Sequence, residues 1–237
     1  MNELTLGDVK VEVEFKNIKN VHLSVYPPKG RVRIAAPLHM SLDTIRIYAI
    51  SKLGWIKKQQ TKLKSAERES SRDYISKESH YYLGKRYLMR VVIQDSSPRV
   101  EIKHNCLELT VRPKTSTRKR KEILDDWYRN SLKELIPTIV KRYEKLMKVQ
   151  VEEFAIRKMK TKWGTCNIEA KRIWLNLELA KKPASCIEYI VVHEMVHLLE
   201  RRHNDRFTAY MDKFLPNWRL IKQDLNRLPV GHVEWGY

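Results

Sequence analysis

Three of the chain's eight histidines fall within eleven residues, at a spacing that suits a metal ion. Four residues of α-helix turn through about 400°, so His193 and His197 leave nearly the same face of a helix and can reach one ion. Glu194 lies one step round the helix, close enough to polarise a metal-bound water without being a ligand. This is the HExxH pattern, in which zinc activates water for hydrolysis and the glutamate is the general base.

A third histidine follows at a less regular distance. His203 comes six residues after His197, and on a straight helix it would be turned about 240° away from the pair. It can be the third ligand only if the chain turns back between Leu198 and Arg202. The extended form of the motif has glycine at that turn, where this chain has Glu200.

The residues around the motif predict a buried helix. Ser185 and Glu188 resemble a capping box, and Pro183 suits a helix start, so we expect the motif to lie well inside the helix. Two histidines and a glutamate buried in such a helix cost several kcal/mol unless a metal or hydrogen bonds satisfy them. The apolar neighbours are Ile187, Ile190, Val191, Val192, Met195, Val196, Leu198 and Leu199.

The donor set favours Zn²⁺, although nickel, cobalt or iron could occupy the same imidazoles. A carboxylate or carbonyl should hold the outer nitrogen of each histidine. The sequence offers four carboxylates for that role and does not choose among Asp205, Asp212, Glu188 and Glu178.

Length and composition set broader limits. A chain of 237 residues can bury a substantial core as one large or two small domains. Three cysteines, with no CxxC pair, argue against a disulfide framework and favour a reducing compartment. No apolar signal core or membrane-length run is present, so we expect a soluble, cytoplasmic protein without a membrane partner. Oligomeric state cannot be inferred from these residues.

The formal charge of +19 attracts polyanions, whether nucleic acid or nucleotide phosphates. No recognised nucleic-acid module accompanies the charge, so nucleic-acid binding, if it occurs, should be nonspecific. An ordinary solvated basic surface is the alternative. The charge concentrates at Arg112, Lys114, Arg118, Lys119, Arg120 and Lys121, and again at Arg157, Lys158, Lys160 and Lys162.

The first half of the chain alternates between apolar and polar residues, which predicts half-buried strands. A helix should follow Ser41, and the polar, serine-rich stretch from Ser65 to Ser79 should be an exposed connection. A second antiparallel group should then follow, and we find no internal repeats. The predicted strands cover 11–15, 22–26, 31–34, 81–83, 87–93, 100–102 and 107–111, with a turn at 27–30.

The second half is mainly helical. A long amphipathic helix should begin near Thr117, with Pro137 kinking or dividing it. Two short strands should follow, with Trp163, Gly164, Thr165 and Cys166 between them. Gly164 would let a strand bulge or another backbone approach closely. An edge strand near a zinc site is where an extended peptide substrate could be held by main-chain pairing.

Several motifs together resemble the YgjP-like family of metal-dependent hydrolases, related to the SprT and WLM zinc peptidases. The resemblance spans nearly the whole chain. It implies an α+β fold: an N-terminal, mainly antiparallel β part with a helix (residues 1–115), then a zincin-like helical half with a small edge sheet (residues 116–237). The motifs are 159–166, Leu175-Asn176-Leu177, Tyr189 to His197, His203-Asn204 and Phe207.

The resemblance also implies roles for particular residues. His193, His197 and His203 would be metal ligands, Glu194 would be the catalytic base, and Trp163 to Cys166 would border the active cleft and bind substrate. We therefore predict a metal-dependent hydrolase, in first place a zinc metallopeptidase acting on a peptide or protein. Two alternatives stay open: hydrolysis of a nucleotide phosphoanhydride, and a non-enzymatic, nucleic-acid-associated module with a structural metal.

Overall fold

The computed structural model describes residues 2–26, 30–65, 72–159 and 162–228. These residues form two compact units, one within 2–65 and the other within 72–228. The predicted boundary between residues 115 and 116 lies inside the second unit. The strands from residue 79 up to that point share one hydrophobic core with the helices after it.

The first unit is a four-stranded sheet followed by two helices, α1 (Leu42–Ser51) and α2 (Leu53–Ser65). Alternate residues of the strands are buried, as the period-two pattern predicts. The first strand was not predicted, and the predicted turn at 27–29 lies outside the described residues. The strands are β1 (Asn2–Leu6), β2 (Val9–Lys16), β3 (His22–Tyr26) and β4 (Arg31–Pro37), in the order β1-β2-β4-β3.

The second unit begins with another four-stranded sheet of the same topology. In each sheet the two outer pairs are antiparallel and the central pair is parallel. Two of the three strand pairs in the predicted second antiparallel group are antiparallel, but its central pair is parallel. The sequence did not reveal that the two sheets repeat one topology. The strands are β5 (Ser79–Tyr82), β6 (Lys85–Ile93), β7 (Arg99–Lys103) and β8 (Cys106–Val111), in the order β5-β6-β8-β7.

A single long helix, α3 (Thr117–Met147), follows this sheet. Ser116 caps it by accepting a hydrogen bond from the Lys119 backbone N–H at 3.3 Å. Pro137 does not divide the helix, contrary to one of the two outcomes that we expected. Ile136 and Ile139 are buried on either side of the proline, and their packing offsets a cost of about 3 kcal/mol for an interior proline.

A three-stranded sheet and three helices complete the second unit. The strand order is β10-β11-β9, so β10 is an edge strand of this sheet; it pairs antiparallel with β11, which pairs parallel with β9. The predicted α+β class is confirmed. No helix in the described ranges has both the length and the apolar character needed to cross a membrane. The elements are β9 (Glu153–Arg157), β10 (Gly164–Asn167), β11 (Arg172–Asn176), α4 (Ala184–Val196), α5 (Asp205–Phe214) and α6 (Trp218–Arg227).

Candidate active site

Helix α4 carries the HExxH motif at its C-terminal end. The helix begins after Pro183, which makes no side-chain cap, so the capping box predicted at Ser185 is wrong. Glu188, the other half of that box, instead accepts a hydrogen bond from the Tyr143 hydroxyl at 2.7 Å. The helix ends at Val196, so the motif does not lie well inside it as we expected.

The chain turns back directly after α4. The backbone N–H groups of Leu199 and Glu200 both donate to the Val196 carbonyl at 2.9 Å, which tightens the turn. None of the described residues from 197 to 203 has a positive φ, so this turn does not require the glycine of the extended motif. The reversal that His203 needs to reach the other two histidines is therefore present.

The three predicted ligand histidines converge. One imidazole nitrogen from each lies within 4.8 Å of the other two, and Nε2 of His203 is 3.0 Å from Nε2 of His193. Nitrogens on one tetrahedral zinc ion are roughly 3.3 Å apart, given Zn–N bonds of ~2.0–2.1 Å. The spacing of this pair therefore fits a shared cation, and the all-imidazole donor set fits zinc.

The Nδ1 atoms of His197 and His193 differ in their hydrogen-bond partners. Nδ1 of His197 lies 3.1 Å from the Glu200 carbonyl oxygen, so Nδ1 carries the proton and Nε2 keeps its lone pair for a metal. Nδ1 of His193 is buried and has no hydrogen-bond partner among the described residues. Within the same residues, no hydrogen bond joins an imidazole to any of the four suggested carboxylates, Asp205, Asp212, Glu188 and Glu178.

Phe207 packs against all three imidazoles. Its ring centroid lies 5.0 Å from that of His193, 4.9 Å from His197 and 4.6 Å from His203. Asn204 caps α5 through a hydrogen bond from the Phe207 backbone N–H to its Oδ1 at 3.0 Å, which fixes this position. The sequence singled out Phe207 only as one of the motifs that resemble the family, so its contact with the whole cluster was missed.

Glu194 is 5 % exposed, and burial raises the pKa of its carboxyl to about 7, with the Lys162 ammonium opposing that shift. Gly164 makes room for it: a Cβ on Gly164 would lie 2.7 Å from both Cγ and Oε1 of Glu194. The sequence suggested that Gly164 admits a close backbone. The structure shows that it admits the Glu194 side chain.

The four residues predicted to bind substrate, Trp163 to Cys166, do not all lie on the same face of the three-stranded sheet. Gly164 and Cys166 face Glu194, whose charge, after burial, helps to raise the pKa of the Cys166 thiol to about 11. Strand alternation points Thr165 to the opposite face of the sheet. Trp163 lies just before β10, with its ring 5.7 Å from the Lys182 Nζ.

Three imidazoles beside a buried carboxylate, at the end of a helix with the HExxH pattern, are the arrangement of a metallopeptidase-type hydrolase. Residues 19–228 match the YgjP-like family, described as a metallopeptidase domain. The match spans most of the chain, which therefore belongs to the YgjP-like family, a family of metallopeptidase-type, metal-dependent hydrolases.

Two solved structures show weak similarity to this chain. The metallopeptidase zymogen abylysin of Pyrococcus abyssi is 19 % identical, with a TM-score of 0.36 over 40 % of this chain and 99 % of its own. The metallopeptidase zymogen jannalysin of Methanocaldococcus jannaschii is also 19 % identical, with a TM-score of 0.34 over 38 % of this chain and 92 % of its own. None of the curated proteins matches the sequence.

Proposed function

We propose that this protein is a zinc metallopeptidase in which His193, His197 and His203 hold the ion and Glu194 is the general base. The observation that carries the proposal is the position of Glu194. Its carboxyl is buried directly after the first of three converging imidazoles, in space that only a glycine at position 164 leaves open. A carboxyl placed there for packing alone would carry a desolvation cost with no benefit.

A zinc ion on three imidazoles would lower the pKa of a water that it binds and polarise the scissile carbonyl. Glu194 then takes the proton of the attacking water and returns it to the leaving amine. Burial, which raises the pKa of this carboxyl, favours return of the proton to the leaving amine, while a bound zinc ion would favour the ionised form that accepts it.

The edge position of β10 among the described strands supports a peptide as substrate. The Asn176 backbone N–H donates to the Trp163 carbonyl at 2.9 Å, and these residues are opposite each other when the β10–β11 register is extended by one step. Hydrogen-bonded pairs alternate in an antiparallel ladder, so Thr165 also faces β11. The backbone N–H and C=O groups of Gly164 and Cys166 face the open side, where an extended peptide can pair with them.

The test is metal analysis of the purified protein together with cleavage of a peptide panel by wild type and Glu194→Gln. We expect both proteins to bind one equivalent of zinc, and the variant to lose cleavage by about 10²–10⁴-fold, the usual contribution of general-base catalysis. Glu188→Gln is the matched control. It changes the same residue type on the same helix, but Glu188 bonds to Tyr143 and Arg142, so cleavage should persist.

Other outcomes would contradict particular parts of the proposal. Undiminished cleavage by Glu194→Gln would remove the general-base role. Zinc retained by His203→Ala but lost by His197→Ala would move the third ligand elsewhere. Cleavage of nucleoside triphosphates with every peptide left intact would support the phosphoanhydride alternative, and bound zinc without any turnover would support a structural metal.

A further inference from the structure

The outer face of the three-stranded sheet holds a shallow cavity of about 420 Å³ that is widely open to solvent. It lies on the face to which Thr165 points, opposite the face that packs against Glu194. Its walls combine three cationic side chains with two large apolar ones, and no described carboxylate lines it. The lining residues are Arg157, Lys158, Met159, Lys162, Thr165 and Trp174.

The three cations of the cavity differ in whether a described carboxylate pairs with them. Lys158 is paired with Asp125. Among the described residues, neither Arg157 nor Lys162 has a carboxylate within ion-pair distance, and both are exposed at the cavity. An anionic group entering the cavity would therefore meet the Arg157 guanidinium and, beside it, the Lys162 ammonium, whose charge also acts on Glu194.

Buried contacts hold the walls of the cavity in place. Asn176 is 5 % exposed, and its side-chain amide donates to the carbonyls of Met159 at 2.9 Å and Lys162 at 2.8 Å. The Arg157 guanidinium lies 4.9 Å from the centroid of the Trp174 ring, a cation–π contact that orients it. Arg157 thus lies on β9 itself, and the backbone carbonyls of Met159 and Lys162 are held by Asn176.

The cavity lies where a bound peptide would direct a side chain. A strand added to the open edge of β10 places each residue beside a β10 residue, with both side chains on the same face of the sheet. The peptide residue beside Gly164 has its side chain on the Glu194 face. The residue beside Thr165 has its side chain on the outer face, next to the cavity.

We propose that this cavity is a specificity pocket for an acidic side chain of the substrate, one residue away from the residue that pairs with Gly164. The inference rests on the proposed peptidase function. Met159 and Trp174 contact the methylene groups of a glutamate or aspartate, and Arg157 and Lys162 bind its carboxylate. A lysine or arginine at the same substrate position meets like charges and is disfavoured.

The test uses the full chain carrying Glu194→Gln, loaded with zinc and equilibrated with a randomised octapeptide library, after which the retained peptides are sequenced. We expect Asp and Glu to be enriched roughly tenfold at one position, the effect of about one charge-assisted hydrogen bond. Adding Arg157→Gln should abolish the enrichment, and Arg157→Glu should shift it to Lys and Arg. Arg172→Gln is the control, because Arg172 contacts the same Trp174 ring but pairs with Glu153 and does not line the cavity.

The possible failures are distinguishable when the wild-type protein is given the same library and its cleavage products are sequenced. Cleavage without acidic enrichment, or enrichment unchanged by Arg157→Gln, overturns the pocket and leaves the peptidase function standing. Acidic enrichment without wild-type cleavage preserves the pocket and removes the peptidase function. Binding of a thymidine octanucleotide that requires Arg157, with no acidic preference among peptides, assigns the cavity to phosphates and overturns the inference.

Discussion

The two four-stranded sheets share one topology, but the cores beneath them differ in chemistry. Every described residue buried in the core of the first unit is apolar. Six buried polar or charged residues occur in the described chain, and all of them belong to the second unit. They are His80, Glu108, Thr110, Asn176, Lys182 and Glu194.

This difference shows that two sheets with the same strand order can bury different kinds of side chain, and only the second unit buries polar groups among the described residues. Burying a polar group without a partner costs free energy, so a unit stabilised by packing alone tends to exclude such groups. The second unit retains them, with partners for several: Glu108 accepts from Lys103 at 2.5 Å, and Asn176 bonds to two backbone carbonyls. We therefore expect sensitivity to pH, metal and small volume changes to concentrate there.

The largest expected contrast is between two glycine-to-alanine changes, one in each unit. Gly164→Ala should lower hydrolysis by about 100- to 1000-fold, because its Cβ would displace the general base, while zinc binding persists. Gly54→Ala should leave activity unchanged and stability within about 1 kcal/mol of wild type, because open space surrounds that position and alanine favours helix. Steady-state cleavage and zinc content measure both effects.

Wild-type activity in Gly164→Ala would mean that Glu194 can shift without loss of function. Equal losses in both variants would point to a general effect on folding. Either result would remove the proposed link between this glycine and catalysis.

Acid should destabilise the second unit through His80. Burial lowers the pKa of this imidazole to about 4, with the positive charge of Arg72 the second cause. Because the unfolded chain takes up the proton near pH 6.5, stability is complete above that pH and is lost as the pH falls toward 4. Between pH 7.5 and 4.5 the loss should reach about 2–3 kcal/mol, measured by urea unfolding.

The control is His80→Phe, which keeps a ring of similar size and removes the titration. The pH-dependent difference between wild type and this variant reports the titration of His80 together with its contact to Glu78, whose Oε2 lies 3.4 Å from the imidazole Nε2. Parallel curves for the two proteins from pH 7.5 to 4.5 would show that His80 is not buried in its neutral form.

The smallest of the three expected effects concerns the Phe207 ring, which packs against the three histidines of the candidate metal site. Phe207→Leu should weaken zinc binding by roughly 10- to 100-fold, comparable to the loss of a residue that orients metal ligands, because all three imidazoles lose a packing surface. Phe214→Leu, on the same helix and stacked on Tyr210, should change the zinc Kd less than threefold. Competition against a chelating dye gives both constants, and equal losses would contradict a specific role for Phe207.

Local spacing made part of this molecule predictable. The four-residue interval between His193 and His197 predicts a shared helix face, and period-two alternation predicts most of the strands. An edge strand near the metal site was also expected, but residues 163–166 were placed between two short strands, whereas Gly164–Asn167 itself forms the edge strand β10. These features depend on residues near one another in sequence.

Features that depend on distant residues escaped prediction. The parallel central pair in each sheet is set by partners that are not consecutive in the chain, and β1 pairs with β2 through an alternation too short to identify alone. The capping box predicted at Ser185 and Glu188 does not form, and Glu188 instead bonds to Tyr143 and Arg142 of the distant helix α3. Neither the Gly164–Glu194 contact nor the ring cluster around Phe207 has a local sequence pattern.

Helix α4 ends at Val196, with His193 in its last turn and His197 immediately after it. The peptide dipoles of a helix sum to roughly half a negative charge at its C-terminus, which stabilises a nearby cation. A chain with a net charge of +19 repels divalent cations at long range. The partial negative charge at the end of α4 opposes that repulsion next to the histidines. It attracts a cation within a few ångströms of the imidazoles, where screening by salt is weakest, and leaves the rest of the surface attractive to anions.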